Sequence, residues 1–151
     1  MTALNALSRI DRTITINAPP ERVYRALTTV SEFSVWFQTA VEGEIAVGNN
    51  VWMISFGHRF RVEFIEMTPP RRFVWRWHPG AVDPAVDYSK EPRTTVTFTL
   101  EPTSGGTLLH VAETGFDEIS LARRASVYKD NTNGWLEVLG WPRDYVHKEN
   151  G

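Results

Sequence analysis

The 151-residue sequence predicts an α+β domain: a seven-stranded antiparallel meander curled around one long C-terminal helix. Two observations carry this prediction. Leu121, Ala125, Tyr128, Thr132, Trp135, Leu139, Pro142 and Val146 recur at alternating steps of four and three, the spacing of one helix face. Upstream, short segments alternate apolar and polar residues with period two, bounded by Gly, Pro and Asn, as strands do. Such half-apolar strands need a partner to lie against, and the C-terminal stripe supplies one.

Ile10, Ile14 and Ile16 alternate with Asp11, Thr13 and Thr15, giving a first strand. Pro19, Pro20 and Glu21 end it and open a short helix, with proline in the first turn and an acid at its positive end. Val23, Tyr24 and Leu27 form its apolar face. Ser31 reads as the N-cap of a second short helix carrying Phe33, Trp36 and Phe37. Six strands follow. Val41–Ala46 pairs across Gly48, Asn49 and Asn50 with Val51–Phe56, and Gly57 and His58 turn the chain into Arg59–Met67. Pro69 and Pro70 lead into Arg72–Trp77, where Phe73, Trp75 and Trp77 share one face and Arg72, Val74 and Arg76 the other. An irregular stretch, His78 to Pro92, precedes Arg93–Leu100, which turns at Pro102, Ser104, Gly105 and Gly106 into Thr107–Glu113. In the last segment, Asp130 to Gly134 are weak helix formers, costing together roughly 3 kcal/mol relative to alanine. The stripe keeps its phase across them, which favours one helix with a soft middle over two helices broken at Asn133 and Gly134. Pro142 is expected to kink that helix.

Length places residues 1–151 in one domain with a real core. A net charge of −2 without a basic run offers no footprint for nucleic acid. The absence of cysteine excludes disulfides and thiolate metal sites. No apolar run reaches membrane-spanning length and Met1–Ile10 has no signal-peptide core, so a cytoplasmic protein without membrane attachment is expected. Aromatic residues make up 12% of the chain, with six tryptophans, more than folding alone requires.

Periodicity turns Trp36, Phe37, Phe60, Trp75, Trp77, Phe98, Tyr128 and Trp135 inward. Each alone reads as core packing. Together these bulky side chains face small ones, Thr132, Gly134 and Gly140, and predict a cavity of roughly 300–1,000 Å³ if it holds a ligand. Glu113 shares strand parity with Leu109 and Val111 and points inward with them. A buried carboxylate needs a partner or a role; the alternative is a strand-end carboxylate that reaches water. Desolvation would raise its pKa unless an arginine, histidine or hydroxyl reaches it. His78, Asp83, Asp87 and Tyr88 gather in the irregular loop, as a rim to the cavity or as solvated loop residues; His78 with Asp83 is too little for a metal site. His58 in a turn, His110 on an outward face, and Arg123 and Arg124 on a solvated helix face carry no chemistry. No nucleophile elbow, phosphate loop or dinucleotide motif occurs, and no cofactor is expected.

The segments "ITINAPPERVYRALTTVSEFSVWF", "RRFVWRWHP", "TTVTFTLEPTSGGTLLHVAETGF" and "NTNGWLEVLGW" resemble, in order and spacing, the START-like (SRPBCC) superfamily. Within it they are similar to the branch named for the activator of the heat-shock protein 90 ATPase. The resemblance implies the helix-grip fold, with a deep cavity walled by Trp36, Trp75, Trp77, Phe98, Glu113, Trp135 and Leu139. It departs from the family pattern at Pro142. The superfamily includes lipid carriers, hormone receptors and polyketide cyclases and has no common catalytic motif, so fold likeness leaves function open. Three readings follow. The first is a binder of a small hydrophobic or aromatic molecule. The second is a cavity enzyme of cyclase or hydrolase type using Glu113 with a histidine or tyrosine. The third is a chaperone-interacting module. A protein partner or homodimer is not evident from the sequence.

Overall fold

The computed structural model describes residues 8–55, 58–79 and 90–150. Seven antiparallel strands form one curved sheet in the spatial order β1-β7-β6-β5-β4-β3-β2. They are β1 (Arg9–Ile16), β2 (Ala40–Glu42), β3 (Asn50–Ser55), β4 (His58–Thr68), β5 (Arg72–Trp77), β6 (Thr94–Thr103) and β7 (Gly106–Thr114). Helices α1 (Pro20–Thr28) and α2 (Val30–Trp36) connect β1 to β2, and α3 (Leu121–Val138) and α4 (Gly140–Asn150) follow β7. The α+β helix-grip architecture predicted from the sequence is therefore the one observed. No helix among the described residues is long and apolar enough to cross a membrane.

The strand faces sort as the period-two pattern requires. Phe73 and Trp75 are buried while Arg72 and Arg76 face solvent. Thr94, Val96, Phe98 and Leu100 all lie inside. Val74 departs: its parity places it on the convex face, yet it is buried, beside the bulge that shifts register between Phe64 and Glu66. The second strand is shorter than the Val41–Ala46 predicted. The chain leaves the sheet at Gly43 (φ 122°) and turns at Ala46–Asn49, where the Gly48 N–H donates to Phe64 O and the Phe64 N–H to Asn49 O. Phe56 and Gly57 lie outside the described residues, and His58, expected in the turn, is the first residue of β4. Pro102 belongs to β6 rather than to the turn. It displaces no ladder bond, because β5 stops at Arg72 opposite Thr99.

At the helices, Thr29 and not Ser31 occupies the N-cap of α2. Helix α3 runs unbroken through Asp130–Gly134, as the continuous stripe predicted. The helical segment divides at Leu139 instead of kinking at Pro142. Pro142 cannot donate to the Val138 carbonyl and its ring would crowd it, so one helix ends at Val138 and another begins. Pro142 then lies in the first turn of α4, where a missing donor costs little. Val127, Trp135, Leu139, Pro142 and Val146 are buried, whereas Ala125 is exposed; the side chain of Leu121 lies outside the described residues. The core is an aromatic stack: Trp75 lies 5.1 Å from Phe98, 6.0 Å from Phe33 and 5.7 Å from Phe73 between ring centroids.

Candidate functional site

Glu113 is the centre of the site, and the fold leaves none of its surface to water. It stands on β7 opposite Val96. Thr94, the next inward residue on β6, pairs with Trp77 at the end of β5. Helix α3 crosses above and presents Asn131 and Trp135, one turn apart on the same face. All four side chains donate to the carboxylate. Trp135 Nε1 (2.8 Å) and Asn131 Nδ2 (2.8 Å) reach Oε1. Trp77 Nε1 (2.9 Å), Asn131 Nδ2 (2.9 Å) and the Thr94 hydroxyl reach Oε2. Indole and amide nitrogens can only donate, so the network fits a carboxylate acting as acceptor at every position. No lysine, arginine or histidine among the described residues forms an ion pair with it.

This arrangement removes the strand-end reading, in which Glu113 reaches water. Of the partners expected for it, an arginine, a histidine or a hydroxyl, the hydroxyl of Thr94 is the one that reaches it, joined by two indoles and an amide. Sequence reasoning does not single out Asn131, a weak helix former by type; its place four residues before Trp135 is the available signal.

Beside this network, Phe37, Trp77, Asp130, Asn131, Gly134, Trp135 and Val138 line a cleft of about 90 Å³. Trp77 stands between Phe37 (6.4 Å) and Trp135 (6.2 Å), so three rings form its walls. Of the aromatic residues predicted to surround a cavity, the structure brings these three together at open space. Trp75 and Phe98 are 0% and 1% exposed and do not line this cleft; edge-to-face neighbours pack against them. Trp36 is core as well, its indole N–H donating to Ala26 O at 2.7 Å. Phe60 packs behind Trp77 at 5.9 Å. Tyr128 packs on Phe116 and donates to Arg9 O at 2.9 Å, tying α3 to β1. Leu139 borders a separate groove of about 360 Å³ between β1 and the α3–α4 junction.

In the irregular loop, His78 Nε2 lies 3.0 Å from Glu91 O, and Asp83, Asp87 and Tyr88 lie outside the described residues. Arg123 is ion-paired with Glu91 and Arg124 donates to Asp117 O and Ile119 O, so both are engaged rather than solvated. No group of metal-ligating side chains occurs among the described residues.

With this geometry in place, the profile of the family described as Activator of Hsp90 ATPase homolog 1-like protein matches residues 17–140. The chain is similar in structure to protein MLL2253 from Mesorhizobium loti (28% identity, TM-score 0.74, covering 93% of this chain and 97% of that one). It is also similar to the Aha1 dimer from Colwellia psychrerythraea (20%, 0.72, 95% and 98%) and to CalU16 from Micromonospora echinospora (21%, 0.62, 91% and 72%). No curated protein matches the sequence.

Proposed function

The chain belongs to the Activator of Hsp90 ATPase homolog 1-like family, and from that premise we propose that it binds a small hydrophobic or aromatic molecule in the cleft between α2, β5 and α3. One observation supports this reading above others: the space is walled by Phe37, Trp77 and Trp135 and kept open by a glycine in mid-helix. A Cβ on Gly134 would meet nothing within 4 Å. An interior helical glycine costs about 1 kcal/mol relative to alanine, and packing gives no return for it here. A site that must admit a ligand ring does. At about 90 Å³ the cleft is smaller than the roughly 300–1,000 Å³ of sites that enclose a drug-sized molecule, so it takes one ring or a group of similar size. Glu113 supports binding rather than proton transfer, because protein donors already occupy both its oxygens.

Titration with 2-naphthol, followed by quenching of tryptophan fluorescence, tests the reading. Saturable quenching is expected in the wild type. Gly134→Leu fills the cleft with a good helix former and should abolish quenching while leaving the circular dichroism unchanged. Equal quenching in both proteins would overturn the assignment.

A further inference from the structure

The charge around the cleft narrows what it takes. The geometry points to a ligand whose inserted group is a small organic cation, of the trimethylammonium or methylated-amine class, held by cation–π contact with Phe37, Trp77 and Trp135. The inference rests on the binding function proposed for the same cleft.

Three features converge on it. First, three rings border one small space, the arrangement that holds alkylated ammonium groups elsewhere, because each ring face presents the negative side of its quadrupole. Second, the one ionisable group among the described lining residues is acidic. Asp130 stands at the rim, exposed, with no ion pair or side-chain hydrogen bond among the described residues. None of the seven lining residues is a lysine, arginine or histidine. Third, Glu113 lies directly behind two of the walls, fully buried and with no cationic partner among the described residues. It accepts the indole N–H bonds of both Trp77 and Trp135. A carboxylate on the N–H edge pushes electron density into each ring and strengthens its attraction for a cation at the face. The same network fixes the planes of both indoles. A neutral hydrocarbon gains nothing from this buried charge; a cation gains from it at low local dielectric.

Glu113 is thus a positioning residue that also sets the sign of the field, while the rings and Asp130 make the contact. The size agrees: a trimethylammonium head is compact and nearly spherical, and the rest of the molecule would extend out past Asp130.

The test compares choline with 3,3-dimethyl-1-butanol, its uncharged isostere, as displacers of 2-naphthol. Choline should displace the probe at about tenfold lower concentration, a preference that cation–π contact in a partly desolvated site supports. Asp130→Asn, an exposed change that leaves the buried network intact, should shrink that preference, and Glu113→Gln should shrink it further, the preference being read within each protein as the ratio of the two displacers. Equal displacement by the two alcohols, or better displacement by the isostere, overturns the cation assignment and leaves the binding function standing on the naphthol titration. An unchanged preference in both variants likewise overturns the role given to the carboxylates. Failure of 2-naphthol to bind at all, with choline inert by calorimetry, removes the function and the inference together.

Discussion

Replacing Glu113 with glutamine is nearly isosteric, yet the hydrogen-bond geometry makes it a demanding change. The carboxylate offers two acceptor oxygens to five contacts. A glutamine keeps one oxygen and turns an N–H₂ toward donors on the other side. If its oxygen stays near Trp135 and Asn131, Thr94 can reverse its hydroxyl to accept, but the Trp77 indole has no such freedom. The opposite flip would orphan Trp135, which is the more deeply buried of the two, so the first arrangement should prevail. Orphaning a buried donor costs about 1–3 kcal/mol, and the bonds that remain lose their charge assistance. Relief from burying a charge offsets part of this. The net expectation is a loss of about 2 kcal/mol. With a urea m-value of about 2 kcal/mol/M for a domain of this size, the unfolding midpoint should fall by about 1 M. Trp77→Phe removes the donor that glutamine cannot satisfy, so the two changes should couple by about 1 kcal/mol in a double-mutant cycle. A midpoint shift below about 0.2 M, or strict additivity in the cycle, would refute the network as described.

Four further outcomes are expected. Tyr24 is buried with its hydroxyl unpartnered, and burial, aided by Glu66, raises its pKa. Tyr24→Phe should therefore leave stability unchanged or raise it by up to about 1 kcal/mol. The wild type should weaken more than the variant as pH rises above the unfolded phenol value near 10, since a raised folded pKa gives stability that is lost with increasing pH. A Cβ at position 106 would stand 2.2 Å from Ile16 O and 2.9 Å from Ala18 N, so Gly106→Ala should lower the urea midpoint by an amount worth about 1–3 kcal/mol. Asp11 is held below the usual carboxylate range first by the Arg9 hydrogen bonds (2.6 and 2.7 Å) and then by His110. Its contribution is present above about pH 4 and fades as pH falls through its folded value. For so exposed a pair, Asp11→Asn should cost only a few tenths of a kcal/mol at pH 7, and less as the pH falls below about 4. Gly134→Ala should stabilise by up to about 1 kcal/mol while weakening 2-naphthol binding; stabilisation without weaker binding would separate the glycine from the site.

The elements and faces of this protein were readable from local rules. Side chains alternate strictly along a strand, so the inward course of Phe73 and Trp75, of Thr94 to Leu100, and of Glu113 followed from sequence parity alone. The helical stripe survived the weak formers at Asp130–Gly134 because phase depends on spacing and burial outweighs propensity. The division at Leu139 also has a local cause, Pro142 acting four residues back, though the stripe runs on across it and hides it.

What only the tertiary structure decided is which inward residues fill the core and which border open space. Trp75 and Trp77 sit two residues apart on one strand face, yet one is sealed among Phe33, Phe73 and Phe98 and the other edges the cleft. Periodicity gives a direction for each side chain, not the distance to what faces it across the fold. The partners of Glu113 lie 18 to 36 residues away along the chain, on two strands and a helix. Their choice depends on where α3 crosses the sheet, which is set by packing over the whole interface. Parity could turn the carboxylate inward; only the assembled fold could surround it with donors and place an aromatic cleft against it.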